Sequence, residues 1–147
     1  MLAVTAPCVN EIIRSNVENW IRLAERGDHR ELMIDTAEKS YSEEYLEKFR
    51  KIYPVIGKIG KPPSYDRFLI NARAILRFNA IGELGRIDCP VLIIGGEKDK
   101  IVGPQATREL HENIIGSELN IYPDFGHGAY EEAKDFYERV FRFLETR

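Results

Sequence analysis

Two short apolar runs in the second half of the chain each end in a break that carries one polar group. Residues 91–94 lead into a Gly-Gly pair and then Asp99. Residues 119–122 lead into a loop that contains His127. Apolar runs of this length, bounded by turn residues, are typical of buried strands. A helical pattern follows each break, and this order of strand, helix, strand and helix predicts a parallel sheet with crossover helices.

The first half of the chain has a different pattern. Residues 2–5 form a short apolar run that Pro7 stops, which is typical of the end of a strand. Between residue 11 and about residue 82, apolar positions recur at helical spacing and predict four helices, the third of which should end at Pro54. The predicted fold class is therefore α/β, with a partial, mainly parallel sheet, crossover helices and a long helical insertion.

Asp99 and His127 are the strongest candidates for chemistry. Ligands of α/β folds bind at the carboxyl ends of parallel strands, so the two side chains are expected within about 2.6–3.2 Å of each other. Taken singly, an aspartate after such a break is most often a turn or cap residue, and His127 could be a satisfied loop histidine. Gly126 and Gly128 beside it predict a tight turn that leaves the ring exposed. Together, a carboxylate that holds an imidazole is two thirds of a hydrolytic triad.

Other residues are weaker candidates. His29 and His111 are expected at the surface, and the histidines lack the spacing of a metal site, so no metal is predicted. Aromatic residues at helical spacing are more often core than pocket. A substrate-binding pocket is the alternative for four of them: Trp20, Phe49, Tyr53 and Phe68.

Composition excludes several classes of partner. The chain has 147 residues, of which 44% are hydrophobic and 31% charged, so it fits one soluble globular domain. A net charge of −3 gives no electrostatic case for nucleic acid or an anionic membrane. No apolar run approaches the ~18 residues of a membrane span. Cys8 and Cys89 fit reduced thiols better than a disulfide, which predicts a cytoplasmic location.

The two motifs resemble the carboxyl-terminal half of the α/β-hydrolase family. The segment IDCPVLIIGGEKDKIVGP resembles the family's seventh strand with its acid loop, and LNIYPDFGHGAYEE resembles the eighth strand with its histidine loop. Acid before histidine agrees with the family's order of serine, acid and histidine. On this resemblance, residues 1–10 are a strand remnant of the core sheet, residues 11–86 are a lid, and residues 87–147 are the carboxyl-terminal part of the core.

The resemblance implies an esterase-, lipase- or peptidase-like acyl hydrolase, with Asp99 as the acid and His127 as the base of the triad. A small-molecule ester or amide is the implied substrate, and no cofactor is implied. The family's nucleophile lies in Gly-x-Ser-x-Gly, and none of the five serines has glycines at both flanking positions. We therefore expect that an amino-terminal half with the nucleophile is missing, and that the chain is inactive alone.

The alternative is a non-catalytic, self-associating α/β domain. A sheet of few strands leaves an unpaired edge and apolar surface, and both tend to find partners. This predicts a homodimer or higher oligomer, with Leu2, Val4, Val91, Ile93 and the aromatic face of the lid as candidate contacts.

Overall fold

The computed structural model describes residues 1–3 and 5–146. Its strands are β1 (Leu2–Ala3), β2 (Leu92–Gly96) and β3 (Glu118–Tyr122), and they form one parallel sheet in the order β1-β2-β3. The parallel sheet with crossover helices is as predicted. The helices are α1 (Glu11–Glu25), α2 (His29–Ser40), α3 (Glu43–Phe49), α4 (Tyr53–Ile59), α5 (Asp66–Ile75), a 3₁₀ helix (Ile81–Arg86), α6 (Pro104–Asn113), α7 (Ala129–Glu132) and α8 (Phe136–Glu145).

A helical insertion, residues 11–86, separates β1 from β2 in the chain. It contains five α-helices among the described residues, and the prediction of four was wrong. Pro54 lies in the first turn of α4 and does not end α3. A proline fits there because the first N–H groups of a helix have no partner within the helix. Pro54 therefore marks the start of a helix. From the sequence alone, a proline within an apolar run could mark either the start or the end of a helix.

The two faces of β2 pack against different helices. Leu92 and Ile94 face a cluster that includes Phe136 and Phe143 of α8. Val91 and Ile93 face the opposite way and are fully buried, with three apolar partners supplied by the 3₁₀ helix and the region of α6: Leu84, Leu110 and Ile114.

This burial corrects part of the predicted contact surface. Val91 and Ile93 cannot meet a partner, because α6 and the 3₁₀ helix already cover that face of the sheet. Leu2 is exposed on the edge strand. Val4 lies outside the described residues.

Two further sequence expectations concern cysteines and membrane spans. Cys8 and Cys89 are both free thiols, as expected. Among the described residues, every helix is too short or too polar to cross a lipid bilayer.

Candidate active site

The acid loop, residues 97–103, places Asp99 three residues beyond the end of β2. The side chain of Asp99 is only 4% exposed. Its Oδ1 accepts hydrogen bonds from the backbone N–H groups of Ile101 at 2.7 Å and Val102 at 2.9 Å. These two bonds fix the carboxylate and leave Oδ2 for a different partner.

The histidine loop, residues 123–128, follows β3 and supplies that partner. Nδ1 of His127 lies 2.9 Å from Oδ2 of Asp99, within the predicted range. Because an ionised carboxylate only accepts hydrogen bonds, Nδ1 carries the proton and donates it. In the neutral ring Nε2 is then the proton acceptor. The side chain of His127 is 32% exposed, and its Nε2 makes no hydrogen bond to the described part of the chain.

Backbone hydrogen bonds tie the two loops to each other. The strands end together, since Gly96 of β2 is paired with Tyr122 of β3. Beyond the strands, the Glu97 N–H donates to the Tyr122 carbonyl at 2.8 Å, and the Lys98 N–H donates to the Phe125 carbonyl at 3.0 Å. Backbone hydrogen bonds therefore continue beyond the ends of the strands as far as the candidate site.

The local environment lowers the pKa of the Asp99 carboxyl below its ordinary value. Burial by itself raises this pKa, because it disfavours the charged form. The hydrogen bond from His127, the charge of that ring and the N–H groups of Val102 and Ile101 together outweigh the effect of burial. Asp99 is therefore held as a carboxylate, which is the form that orients an imidazole.

We expect acid to destabilise the fold partly through Asp99. Its folded-state pKa is depressed, so its contribution is fully present above the ordinary aspartate pKa of about 3.9 and is lost as the pH falls through the lower folded value. Urea unfolding at about pH 6 and about pH 3 measures this loss. The wild-type chain should lose more free energy of unfolding between the two than Asp99→Asn, and equal losses would contradict the expectation.

The glycines beside His127 are required for space rather than for an unusual backbone angle. Neither has a positive φ. A Cβ on Gly126 would lie 2.7 Å from the carbonyl oxygen of Ser40, and one on Gly128 would lie 2.6 Å from the ring of Tyr41. The tight turn is as predicted, since the Ala129 N–H donates to the Gly126 carbonyl at 3.3 Å, and the two glycines let this turn pack closely against the end of α2.

That contact includes hydrogen bonds on both sides of Tyr41. The Gly128 N–H donates to the Ser40 carbonyl at 2.7 Å. The Ser42 N–H donates to the carboxylate of Glu132 in α7 at 3.1 Å, and its hydroxyl donates to the same carboxylate. Hydrogen bonds thus connect the helical insertion directly to the segment that carries His127.

Hydrogen bonds also connect the region of helix α1 to the acid loop. Nδ2 of Asn16 donates to the carbonyls of Lys100 at 2.7 Å and Ile101 at 3.1 Å. Nδ2 of Asn10 donates to the carbonyl of Val102 at 2.8 Å, while its Oδ1 caps α1. The sequence interpretation missed both asparagines. The available signal was Asn16 itself, a polar residue on the apolar face of a helix.

An apolar cavity of about 220 Å³ adjoins His127. Trp20 lines it, and Nε1 of the indole donates to Asp35 in α2 at 2.7 Å. Most other lining side chains are apolar and come from the amino-terminal segment, α1, the end of α5 and the acid loop: Ala6, Val9, Ile13, Val17, Ile75, Phe78, Ile101 and Val102.

The other three predicted aromatic residues lie elsewhere. Phe49 lines a separate open groove beside Tyr45 and Tyr122. Phe68 packs against the apolar core between α1 and α5. Tyr53 is the first residue of α4. The structure therefore brings only Trp20, of the four, to the cavity beside His127.

The remaining histidines lie away from the pair. His111 is exposed on α6, with its ring 2.8 Å from the hydroxyl of Ser117. His29 is only partly exposed, because it packs near Tyr65, and its Nδ1 is buried without a partner. Within residues 1–3 and 5–146, no group of three or more histidine, cysteine or acidic side chains could hold a metal ion.

Comparison with known proteins agrees with this architecture. Residues 78–146 match the model of an α/β-hydrolase family described as TAP-like protein. MGS-M2, an α/β-hydrolase enzyme from a Medee basin deep-sea metagenome library, superimposes with a TM-score of 0.88 at 22% identity. That superposition covers 99% of this chain and 55% of MGS-M2. These matches support the resemblance to the carboxyl-terminal portion of the α/β-hydrolase fold.

Two curated relatives are similar over shorter stretches. A 2-hydroxy-6-oxononadienedioate/2-hydroxy-6-oxononatrienedioate hydrolase of Klebsiella pneumoniae is 45% identical over 62 residues, which are 42% of this chain and 22% of the relative. A pimeloyl-[acyl-carrier protein] methyl ester esterase of Neisseria meningitidis is 29% identical over 96 residues, which are 65% of this chain and 36% of the relative. The matched stretches thus cover well under half the length of these relatives.

Proposed function

We propose that this chain supplies the acid and the histidine of an acyl-hydrolase active site, with Asp99 as the acid and His127 as the base. The observation that carries the proposal is the 2.9 Å contact between a buried carboxylate and a partly exposed imidazole at the ends of neighbouring parallel strands. The pair is oriented for proton transfer at Nε2, since Asp99 occupies Nδ1.

In the proposed reaction, Nε2 of His127 takes the proton of a hydroxyl nucleophile as that oxygen attacks the substrate carbonyl. The imidazolium then returns the proton to the leaving group, while Asp99 stabilises the charged ring. We infer that the nucleophile comes from a segment outside these 147 residues. Within the described residues, no serine hydroxyl is bonded to His127, and Ser42 and Ser117 are engaged with Glu132 and His111.

The cavity beside His127 favours a small, uncharged acyl or leaving group. Its lining combines Trp20 with aliphatic side chains, and His127 is the only titratable lining group besides Cys8 among the described residues. Apolar walls with few polar groups are typical of ligand pockets. We therefore propose an ester or amide with a small apolar substituent as the substrate, and residues 11–86 as the lid over it.

A chimera with MGS-M2 tests the proposal. This chain would replace the part of MGS-M2 on which it superimposes, so that the remainder of MGS-M2 completes the fold. We expect hydrolysis of a short p-nitrophenyl ester that depends on His127. A folded chimera without this turnover would contradict the proposal. Should the fusion not fold, co-expression of the two segments as separate chains provides the same comparison.

We expect no covalent labelling of the 147-residue chain alone by a fluorophosphonate probe. Such probes react with an activated serine, and the described contacts of His127 include none. A general base without a nucleophile typically contributes only 10²–10⁴-fold and needs a positioned substrate. Intact-protein mass spectrometry after incubation measures the labelling. Stoichiometric labelling at any of the five serines would contradict the inference of an external nucleophile.

Self-association is a second candidate function, favoured by helix α8. Phe136 and Phe143 are buried, yet Tyr137, Phe141 and Leu144 form an exposed apolar stripe at helical spacing. The apolar face of α8 is therefore wider than the part that the core covers, and an exposed apolar patch of this kind often marks an interface. We propose that this stripe contacts a second copy of the chain when no other segment covers it.

Light scattering of the isolated chain tests this second candidate. We expect a homodimer or larger assembly that Phe141→Glu dissociates. Ile115→Glu is the control, since Ile115 is an even more exposed apolar residue and lies outside α8. A monomer over a wide concentration range would contradict self-association.

We also infer a cytoplasmic location. Its support is the pair of free thiols, Cys8 and Cys89, because thiols persist in reducing compartments. Cell fractionation tests the location, and recovery of the chain from an oxidising compartment would contradict it.

A further inference from the structure

Side chains hydrogen-bond to the backbone of the acid loop from two sides. On the inner side, the N–H groups of Ile101 and Val102 donate to Oδ1 of Asp99. On the outer side, the carbonyls of Lys100 and Ile101, which share peptide units with those two N–H groups, accept hydrogen bonds from Asn16. Both peptide units are therefore fixed at donor and acceptor, and Asn10 binds the Val102 carbonyl in the next unit.

The side chain of Asn16 is buried against the acid loop rather than exposed to solvent. It is 5% exposed, on the face of α1 that also buries Ile13 and Val17. A buried side-chain amide without partners would cost about 1–3 kcal/mol, so its placement there requires the two carbonyls that it binds. Asn10 adds a third carbonyl, that of Val102. Three consecutive carbonyls of the acid loop, from Lys100 to Val102, are bound by two asparagines.

Apolar packing alone would not hold the loop in this register. Ile101 and Val102 also line the cavity next to His127, so their peptide groups can rotate toward that space unless they are bonded. A rotation that moved either N–H would release Oδ1 of Asp99 and let the carboxylate turn away from Nδ1 of His127.

We propose that Asn16 and Asn10 are positioning residues that set the Asp99 carboxylate, and through it the Nδ1–H tautomer of His127. The asparagines touch neither the imidazole nor the cavity, and they act through the backbone of the acid loop. Their importance for turnover rests on the proposed function. Their effect on the tautomer does not, because it is a property of the folded chain alone.

The experiment is ¹⁵N NMR of the histidine rings in the full 147-residue chain, at about pH 9, where imidazoles are ordinarily neutral. In the wild-type chain the Nδ1 resonance of His127 should report a protonated nitrogen and Nε2 an unprotonated one. Asn16→Leu removes both donations at nearly constant volume. We expect loss of the single Nδ1–H form and a shift of both resonances toward a tautomer mixture, with native near-ultraviolet circular dichroism.

Asn10→Ser provides a second variant that keeps the fold. Serine is as good a helix cap as asparagine, so the cap on Ile13 is retained while the donation to Val102 is lost. Asn113→Ala is the matched control, because Nδ2 of Asn113 also donates to a backbone carbonyl, that of Glu109 within α6. It should leave the His127 resonances unchanged.

The outcomes separate this inference from the proposed function. A folded Asn16→Leu chain with wild-type His127 resonances would overturn it, and if that variant does not fold, Asn10→Ser decides in the same way. An inactive chimera combined with shifted resonances would remove the hydrolase proposal and leave the positioning role in place. An active chimera with unshifted resonances would leave the hydrolase proposal in place and remove the positioning role.

Discussion

His127→Ala is expected to lower kcat by about 10⁶-fold in an enzyme completed by a nucleophile-bearing segment, such as the chimera with MGS-M2. Removal of the histidine of a hydrolytic triad has about this effect in a serine protease, because the nucleophile then keeps its proton. Asp99→Asn should cost about 10⁴-fold, because an amide partner favours the wrong tautomer of the ring. The two effects should not add, since both residues act in one proton transfer.

His111→Ala is the matched control for that experiment. His111 is exposed on α6 and contacts Ser117, so its removal leaves the pair of Asp99 and His127 intact. Initial rates on a p-nitrophenyl ester give kcat and KM for each variant. A His127→Ala chimera within 10-fold of the parent would exclude His127 as the general base, because such help is worth at least about 10²-fold.

Gly96→Ala should be among the most destabilising single substitutions in the chain. A Cβ at Gly96 would lie closer than 3.0 Å to the carbonyl groups of Phe125 and Gly126. The obstacle is backbone, so no side-chain rotation relieves it, and either β2 or the histidine loop must move. We expect a loss of at least about 3 kcal/mol in the free energy of unfolding, the upper end for overpacked sites. The hydrogen bond between Lys98 and Phe125 should be lost as well.

Gly82→Ala is the control for Gly96→Ala. Gly82 lies in the 3₁₀ helix, has no positive φ, and has open space where a Cβ would be. Such a replacement changes stability by less than about 1 kcal/mol. Urea unfolding of both variants measures the difference, and a Gly96→Ala chain as stable as Gly82→Ala would show that the two loops do not approach as closely as described.

The sequence predicted the pair of Asp99 and His127 because each residue follows its strand within a few positions. Local pattern locates such residues, and parallel pairing of β2 with β3 then brings them together. The apolar run also predicted a buried strand, but which elements cover the face of Val91 and Ile93 was not predictable in the same way. Coverage of that face by α6 and the 3₁₀ helix is a tertiary contact.

Sequence reasoning also missed roles that depend on distant partners. Gly126 and Gly128 predicted the tight turn but not its packing, since they make room for Ser40 and Tyr41, which lie more than eighty positions earlier. The role of Asn16 was missed because the carbonyls that it binds follow β2, more than eighty positions later in the chain.

The bonds between the helical insertion and both loops restrict how a ligand could reach the cavity. Swinging the insertion outward as a rigid body would break the contacts of Asn16 and Ser40 with the two loops, at about 1 kcal/mol for each hydrogen bond, and would disassemble the pair it covers. Hinge opening is therefore incompatible with a competent site. Ile75 and Phe78 line the cavity and are about half exposed, so in the proposed site rotation of these side chains would open an entrance. Exposed side chains rotate in picoseconds to nanoseconds, whereas hinged domains move in microseconds to milliseconds, so passage through this entrance should not limit turnover.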